Sequence, residues 1–106
     1  RNVENYDVLV YVANWPKVRV AAWDALLKAR AIENMSYCVG VNRVGLDGNG
    51  HEYNGHSAVF DVLGKKLDNI PENQETTEII TLSKTHIKTY REKLNFLKDK
   101  DTFTLE

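Results

Sequence analysis

Between Val18 and Met35 the apolar residues recur at helical spacing in two stripes instead of one. Val18, Ala22, Leu26, Ala29 and Ile32 form the first, and Val20, Trp23, Leu27, Ala31 and Met35, offset along the helix, form the second. A helix lying on one sheet needs a single apolar stripe about 100° wide. This one is expected to be covered on two sides, by its own sheet and by another layer or a second subunit. Ala25, Ala29 and Ala31 are small enough to let a partner element approach closely. Asp24 and Lys28 have the spacing of a solvated ion pair on the remaining face, with plain surface charge the favoured reading for these two, and Arg30 and Glu33 can pair likewise.

The segments flanking this helix read as strands. Asp7 to Ala13 (DVLVYVA) is apolar without alternation, which predicts a strand buried on both faces. Asn14-Trp15-Pro16 ends it, because proline cannot continue a ladder and biases Trp15 towards an extended backbone. A strand end carrying Asn and Trp is where α/β folds place ligand-contacting groups; a turn with an aromatic plug explains it equally well. Ser36 to Val44 alternates, with Tyr37, Val39 and Val41 on one face and Cys38, Gly40 and Asn42 on the other. Strand, helix and strand in this length make a crossover unit, so the two strands should run parallel. The glycine-rich loop of a nucleotide site is absent between Ala13 and Val20.

Downstream, Asp47-Gly48-Asn49-Gly50 holds two overlapping turn signals. His56 to Val62 and Lys65 to Ile70 are expected to form a hairpin around a Leu63-Gly64 turn, with a polar loop from Pro71 to Thr76 and a short strand from Thr77 to Leu82. Ser83 is a fitting N-cap for a helix from Lys84 to about Leu97, whose apolar stripe is Ile87, Tyr90, Leu94 and Leu97. Thr102 to Leu105 reads as a docked extended arm. The layers implied by this order do not balance. The first strand asks for cover on both faces and the crossover helix has an apolar face to spare, so a partner or an upstream half should complete the fold.

With 106 residues, 42% hydrophobic and 27% charged, the chain is ordinary for a globular domain. Its net charge of −1 is spread among interleaved acids and bases, which leaves no footprint for nucleic acid or an anionic membrane. No apolar run approaches the ~20 residues of a membrane-spanning helix, and no signal peptide opens the chain. The lone cysteine suits a reducing compartment, so a cytoplasmic location is expected. Arg1 in place of Met, followed almost at once by a strand, is the opening expected of a chain whose upstream half lies elsewhere.

Several residues invite a chemical role. Cys38 sits mid-strand with no histidine or acid at a telling spacing, and a buried inert thiol is the expected reading. His51-Glu52 with His56 resembles a zinc-protease motif, but the spacing is five and Asn54-Gly55 breaks any helix; loop histidines are expected. Asp47 to Ala58 fails as a calcium loop, since Glu52 stands where glycine is needed and Ala58 where a bidentate Glu belongs. Asp61, Asp68, Glu72, Glu75 and Glu78 read as scattered surface charge, and Tyr90-Arg91-Glu92-Lys93 as a mixed helical face. No cofactor is expected.

An ordered set of residues nevertheless runs through nearly the whole chain. Tyr6-Asp7 opens a strand ending Ala13-Asn14-Trp15-Pro16. Trp23, Leu26-Leu27, the run from Ala29 to Asn34, and Tyr37 follow. Then come Asn42-Arg43-Val44-Gly45, Asp47-Gly48-Asn49-Gly50, Tyr53, Gly55, Ser57, Gly64 and Tyr90-Arg91-Glu92-Lys93. In this order they resemble the C-terminal half of a nitrilase-superfamily carbon–nitrogen hydrolase, in its omega-amidase branch. The resemblance implies an α/β fold, part of an α-β-β-α sandwich, with residues 1–106 forming the C-terminal portion of a single domain of about five strands and two helices. It implies subunits pairing into a homodimer, here through the Val20–Met35 helix. It also implies a Glu–Lys–Cys triad acting on small 2-oxoacid amides, with all three residues upstream of Tyr6. This chain then supplies no catalytic residue, and Asn14, Trp15, Arg19 and Asn42 are the candidates for contact with a small amide substrate. Ala22 stands where many relatives carry His. The alternative is a non-catalytic dimerising or binding module of the same fold.

Overall fold

A computed structural model describes residues 6–94. The elements are β1 (Val8–Ala13), a 3-10 turn (Lys17–Arg19), α1 (Val20–Asn34), β2 (Tyr37–Asn42), β3 (Val44–Leu46), β4 (Glu52–Asn54), β5 (Ala58–Phe60) and α2 (Lys84–Leu94). β1 and β2 run parallel, from Val8 opposite Tyr37 to Ala13 opposite Asn42, as a crossover through α1 requires. β5 adds antiparallel to β2, giving the order β1-β2-β5, and β3 pairs with β4 in a separate hairpin.

The two stripes of α1 have opposite fates. Trp23, Leu27 and Ala31 are buried against Cys38, Ala58 and Phe60, with Leu9 and Ala13 packed at the margin. Met35 follows the helix in a left-handed conformation (φ 47°), its N–H closing on Ala31 and Ile32, and its side chain sits in a second cluster with Tyr37, Val62 and Ile87. That burial offsets a backbone conformation for which glycine is the usual choice. The other stripe is open: Val18 is 91% exposed, and Leu26 and Ile32 are 44% and 42% exposed.

The first strand departs from expectation in the same way. Leu9, Tyr11 and Ala13 lie towards the helix layer, while Val8, Val10 and Val12 on the other face are exposed, Val12 to 81%. Among the described residues β1 is an edge strand, and α1 covers the one face that carries Leu9, Tyr11 and Ala13. On the other side, Val39, Val41 and Val59 floor a cleft of about 590 Å³ rimmed by Ile70 and Ile80.

The hairpin expected from His56 to Ile70 is cut short. Leu67 N–H reaches Val59 O and Phe60 bridges Lys66, but the Asp68 carboxylate then accepts from Val59 N–H and Ile70 N–H. Side-chain oxygens replace the main-chain partners that would extend the ladder. Thr77 to Leu82 forms no strand for a related reason, since Asn69 N–H is taken by the Glu78 carboxylate. The turn signalled at Asp47–Gly50 does form, and it closes the hairpin of β3 and β4. Asp47 Oδ1 accepts from Asn49 and His51 N–H, and Oδ2 accepts from the Tyr53 hydroxyl. Ser83 caps α2 through its Oγ, which accepts from His86 N–H at 3.1 Å. The end of the helix at Leu97 and the arm at Thr102–Leu105 lie outside the described residues.

Arg91 is more than part of a mixed helical face. Its Nε donates to Met35 O at 3.0 Å, Nη1 pairs with Asp7 Oδ1 at 2.9 Å, and Nη2 donates to Tyr6 O at 2.9 Å. One guanidinium therefore ties α2 to the end of α1 and the entry of β1, using the fork geometry that lysine lacks. Arg91→Met in the intact protein is expected to cost about 2 kcal/mol, because two carbonyls and a carboxylate lose a partly buried donor. A urea midpoint that stays where it was would remove Arg91 from this role.

Candidate functional site

The carboxyl ends of the parallel pair bring the turn after β1 beside Asn42, the last residue of β2. The Asn42 side chain is the hub. Its Oδ1 accepts from Trp15 N–H at 2.7 Å, and its Nδ2 donates to Trp15 O at 2.9 Å and to Gly55 O at 2.8 Å. The orientation of this amide is fixed by its partners, since a main-chain N–H can only donate and a carbonyl can only accept. Ser57 completes the junction: its Oγ accepts from Asn42 N–H and donates to Asn42 O. The Asn42 amide is thus occupied by main-chain groups, and it positions the rim of the site.

Trp15 lies on that rim. Its indole Nε1–H donates to Arg19 O at 2.6 Å, its ring lies 5.8 Å from that of Trp23, and the Arg19 guanidinium stands 5.3 Å from the ring centre. Such a contact suits a half-exposed aromatic, whose π face attracts a cation. Asn14 is exposed in the same turn. Tyr11, Trp15, Trp23, Leu26, Leu27 and Arg30 surround a small hollow of about 120 Å³ beside it. Of the four residues singled out from the sequence, Trp15, Arg19 and Asn42 form one contact network. Asn14 belongs to it through the chain.

Spacing on the helix misassigns one residue. Asp24 faces His56, with its carboxylate oxygens 3.0 and 3.1 Å from Nδ1, so its neighbour is a loop histidine in place of Lys28. Arg30 and Glu33 do pair, at 2.8 Å. His56 Nε2 lies 3.3 Å from Glu72, which also accepts from Asn54 Nδ2 at 2.7 Å. The bond from Asn54 and then the one from His56 hold the Glu72 carboxyl below its ordinary range. Asp61 and Asp68 are not surface charges either; both are buried, and their carboxylates accept main-chain N–H groups. No spacing rule reaches these contacts, which join segments far apart in the chain.

Cys38 is fully buried in the core cluster, and desolvation pushes its thiol up to about 11. A thiol of that kind is protonated and shielded, the opposite of an activated nucleophile. Among the described residues no group of three or more His, Cys, Asp or Glu is placed to hold a metal ion.

The model of the carbon-nitrogen hydrolase family matches residues 3–92. The chain belongs to the carbon-nitrogen hydrolase family. This carbon-nitrogen hydrolase chain is 46% identical over 105 residues to the omega-amidase YafV of Escherichia coli K12, a match covering 99% of the chain and 41% of that protein. The omega-amidase YafV of Yersinia enterocolitica is 44% identical over the same share. The chain therefore spans about two fifths of the length of these curated relatives. Among solved structures, a CN-hydrolase superfamily protein from Xanthomonas campestris superposes with a TM-score of 0.90 at 42% identity, over 96% of this chain and 38% of that one. The superfamily member Nit3 of Saccharomyces cerevisiae, at 24% identity and a TM-score of 0.68, shares the fold. The described residues are thus one α/β part of the nitrilase-like α-β-β-α sandwich, with the two helices expected; β3 and β4 stand in place of the strands expected at Lys65–Ile70 and Thr77–Leu82. No helix among them is long and apolar enough to cross a membrane.

Proposed function

We propose that the intact protein to which this chain belongs is a cytoplasmic omega-amidase, hydrolysing the terminal amide of small 2-oxoacid amides. The observation that carries this reading is the 46% identity to an omega-amidase over 99% of the chain. In the proposed reaction a cysteine thiolate attacks the amide carbon, a glutamate moves protons and a lysine helps hold the oxyanion. Ammonia leaves, and water cleaves the resulting thioester to give the acid. In this reading the triad Glu, Lys and Cys lie outside these 106 residues; for the cysteine this is supported by Cys38, the one cysteine of the sequence, being buried with a protonated thiol. Asn14 and Trp15 line the acyl pocket, Arg19 braces the Trp15 ring and Asn42 fixes the turn.

Two subunits pair through the open stripe of α1, Val18, Leu26 and Ile32, which would otherwise leave large apolar groups in water. The same exposed faces suit the second reading, a non-catalytic dimerising or binding module. Ammonia release from 2-oxoglutaramate separates them. The intact protein should release it, its Cys38→Ala variant should too, and the 106-residue chain alone should not. Release by the short chain, abolished on replacing Cys38, would reverse the assignment of roles; an inert intact protein would leave the binding module.

A further inference from the structure

The turn that carries Gly55, and with it the Asn42–Trp15 rim, is held at its centre by His56. This residue has a left-handed backbone (φ 56°), a conformation that persists in a non-glycine residue where the surroundings over-determine it. Its contacts do so from three sides. The main-chain oxygen accepts from the Trp23 indole Nε1–H at 2.8 Å, Nδ1 lies 3.0 Å from Asp24 on α1, and Nε2 lies 3.3 Å from Glu72. Glu72 is held in turn by Asn54 Nδ2, and Asn54 O accepts from Asn73 N–H.

A neutral imidazole has one N–H and one lone pair, so one of its nitrogens would face a carboxylate with nothing to donate; an imidazolium donates to both. The other charges around the ring are few. Lys28 from α1 and Lys66 border the same cleft as His56 and Asp24, and Lys17 acts on Glu72 from beyond. The ring thus stands between two carboxylates, one at each nitrogen, with no cation in contact among the described residues.

We propose that His56 is the positioning residue of the Trp15–Asn42 rim: a cross-link between Asp24 and Glu72 that holds residues 54–57 against the sheet. The effect on substrate rests on the amidase reading above; the effect on the turn does not.

The test uses the intact protein with 15N-labelled tryptophan. The Trp23 indole N–H, bonded to His56 O, should exchange slowly with solvent in the wild type and about tenfold faster in His56→Asn, a residue that tolerates the left-handed backbone. In 2-oxoglutaramate hydrolysis, His56→Asn should raise KM about tenfold while kcat falls by less than about twofold, the signature of lost binding with the chemical step intact. The double variant Asp24→Asn, Glu72→Gln keeps the ring and should reproduce both results should His56→Asn fail to fold. Equally slow Trp23 exchange in wild type and variants overturns the cross-link. Faster exchange with an unchanged KM overturns the positioning role. With an inactive intact protein, the Trp23 exchange alone decides the cross-link.

Discussion

Gly40→Val is expected to be among the most damaging single substitutions in the described residues. A Cβ built on Gly40 would lie 2.5 Å from Leu27 Cδ1 and 2.7 Å from Trp23 Cζ2. Leu27 and Trp23 are 2% and 4% exposed, so neither has free space to retreat into. Overpacking of this kind costs roughly 1–3 kcal/mol for the first added carbon, and the two further methyls of valine meet the same wall. We expect about 2 kcal/mol for Gly40→Ala and more for Gly40→Val, read as urea midpoints of the intact protein. Leu27→Ala should cost stability alone yet recover part of the loss when combined with Gly40→Ala, because the two sites share one volume. A Gly40→Ala variant as stable as its parent would mean that α1 can ride further from the sheet than its packing indicates.

Asn42→Ala is expected to cost about 3 kcal/mol and to loosen the candidate site at once. It strips Trp15 N–H of its acceptor and two carbonyls of their donor at a residue that is 8% exposed, and each buried polar group left unpaired costs about 1–3 kcal/mol. Asn42→Asp is the sharper variant. It keeps the shape and the acceptor for Trp15 N–H, but points an acceptor-only oxygen at the carbonyls of Trp15 and Gly55. Asp should therefore be no better than Ala, although it is nearly isosteric with Asn. Thermal unfolding with tryptophan fluorescence checks both; an Asp variant close to wild type would mean that the clamp contributes little.

These two positions also show how far the sequence alone can be read. Alternation along Ser36 to Val44 puts Cys38, Gly40 and Asn42 on one face, and that face meets α1. Helical spacing separates the stripes of α1 correctly, and the crossover unit fixes the parallel pairing. Such features depend on local period and chirality, which a short window contains. The misreadings fall where a side chain reaches across the chain. Asp68 ends a ladder by accepting N–H groups on both sides of it, Asp24 prefers a histidine 32 residues away to a lysine one turn away, and Arg91 reaches Asp7 across 84 positions. Asn42 stands out in the sequence as a candidate and not as the clamp of the Trp15 turn, because the bonds that define the clamp go to main-chain atoms, which look alike in every residue.

That indifference to side chains has an evolutionary reading. Asn42 grips Trp15 only by its N–H and C=O, and Gly55 only by its C=O. The amide therefore holds the same turn whatever side chain position 15 carries, so long as that residue is not proline. The junction separates inheritance of the loop from inheritance of its side chains: one position keeps the turn in place, and its neighbour is free to be rewritten without the turn being rebuilt.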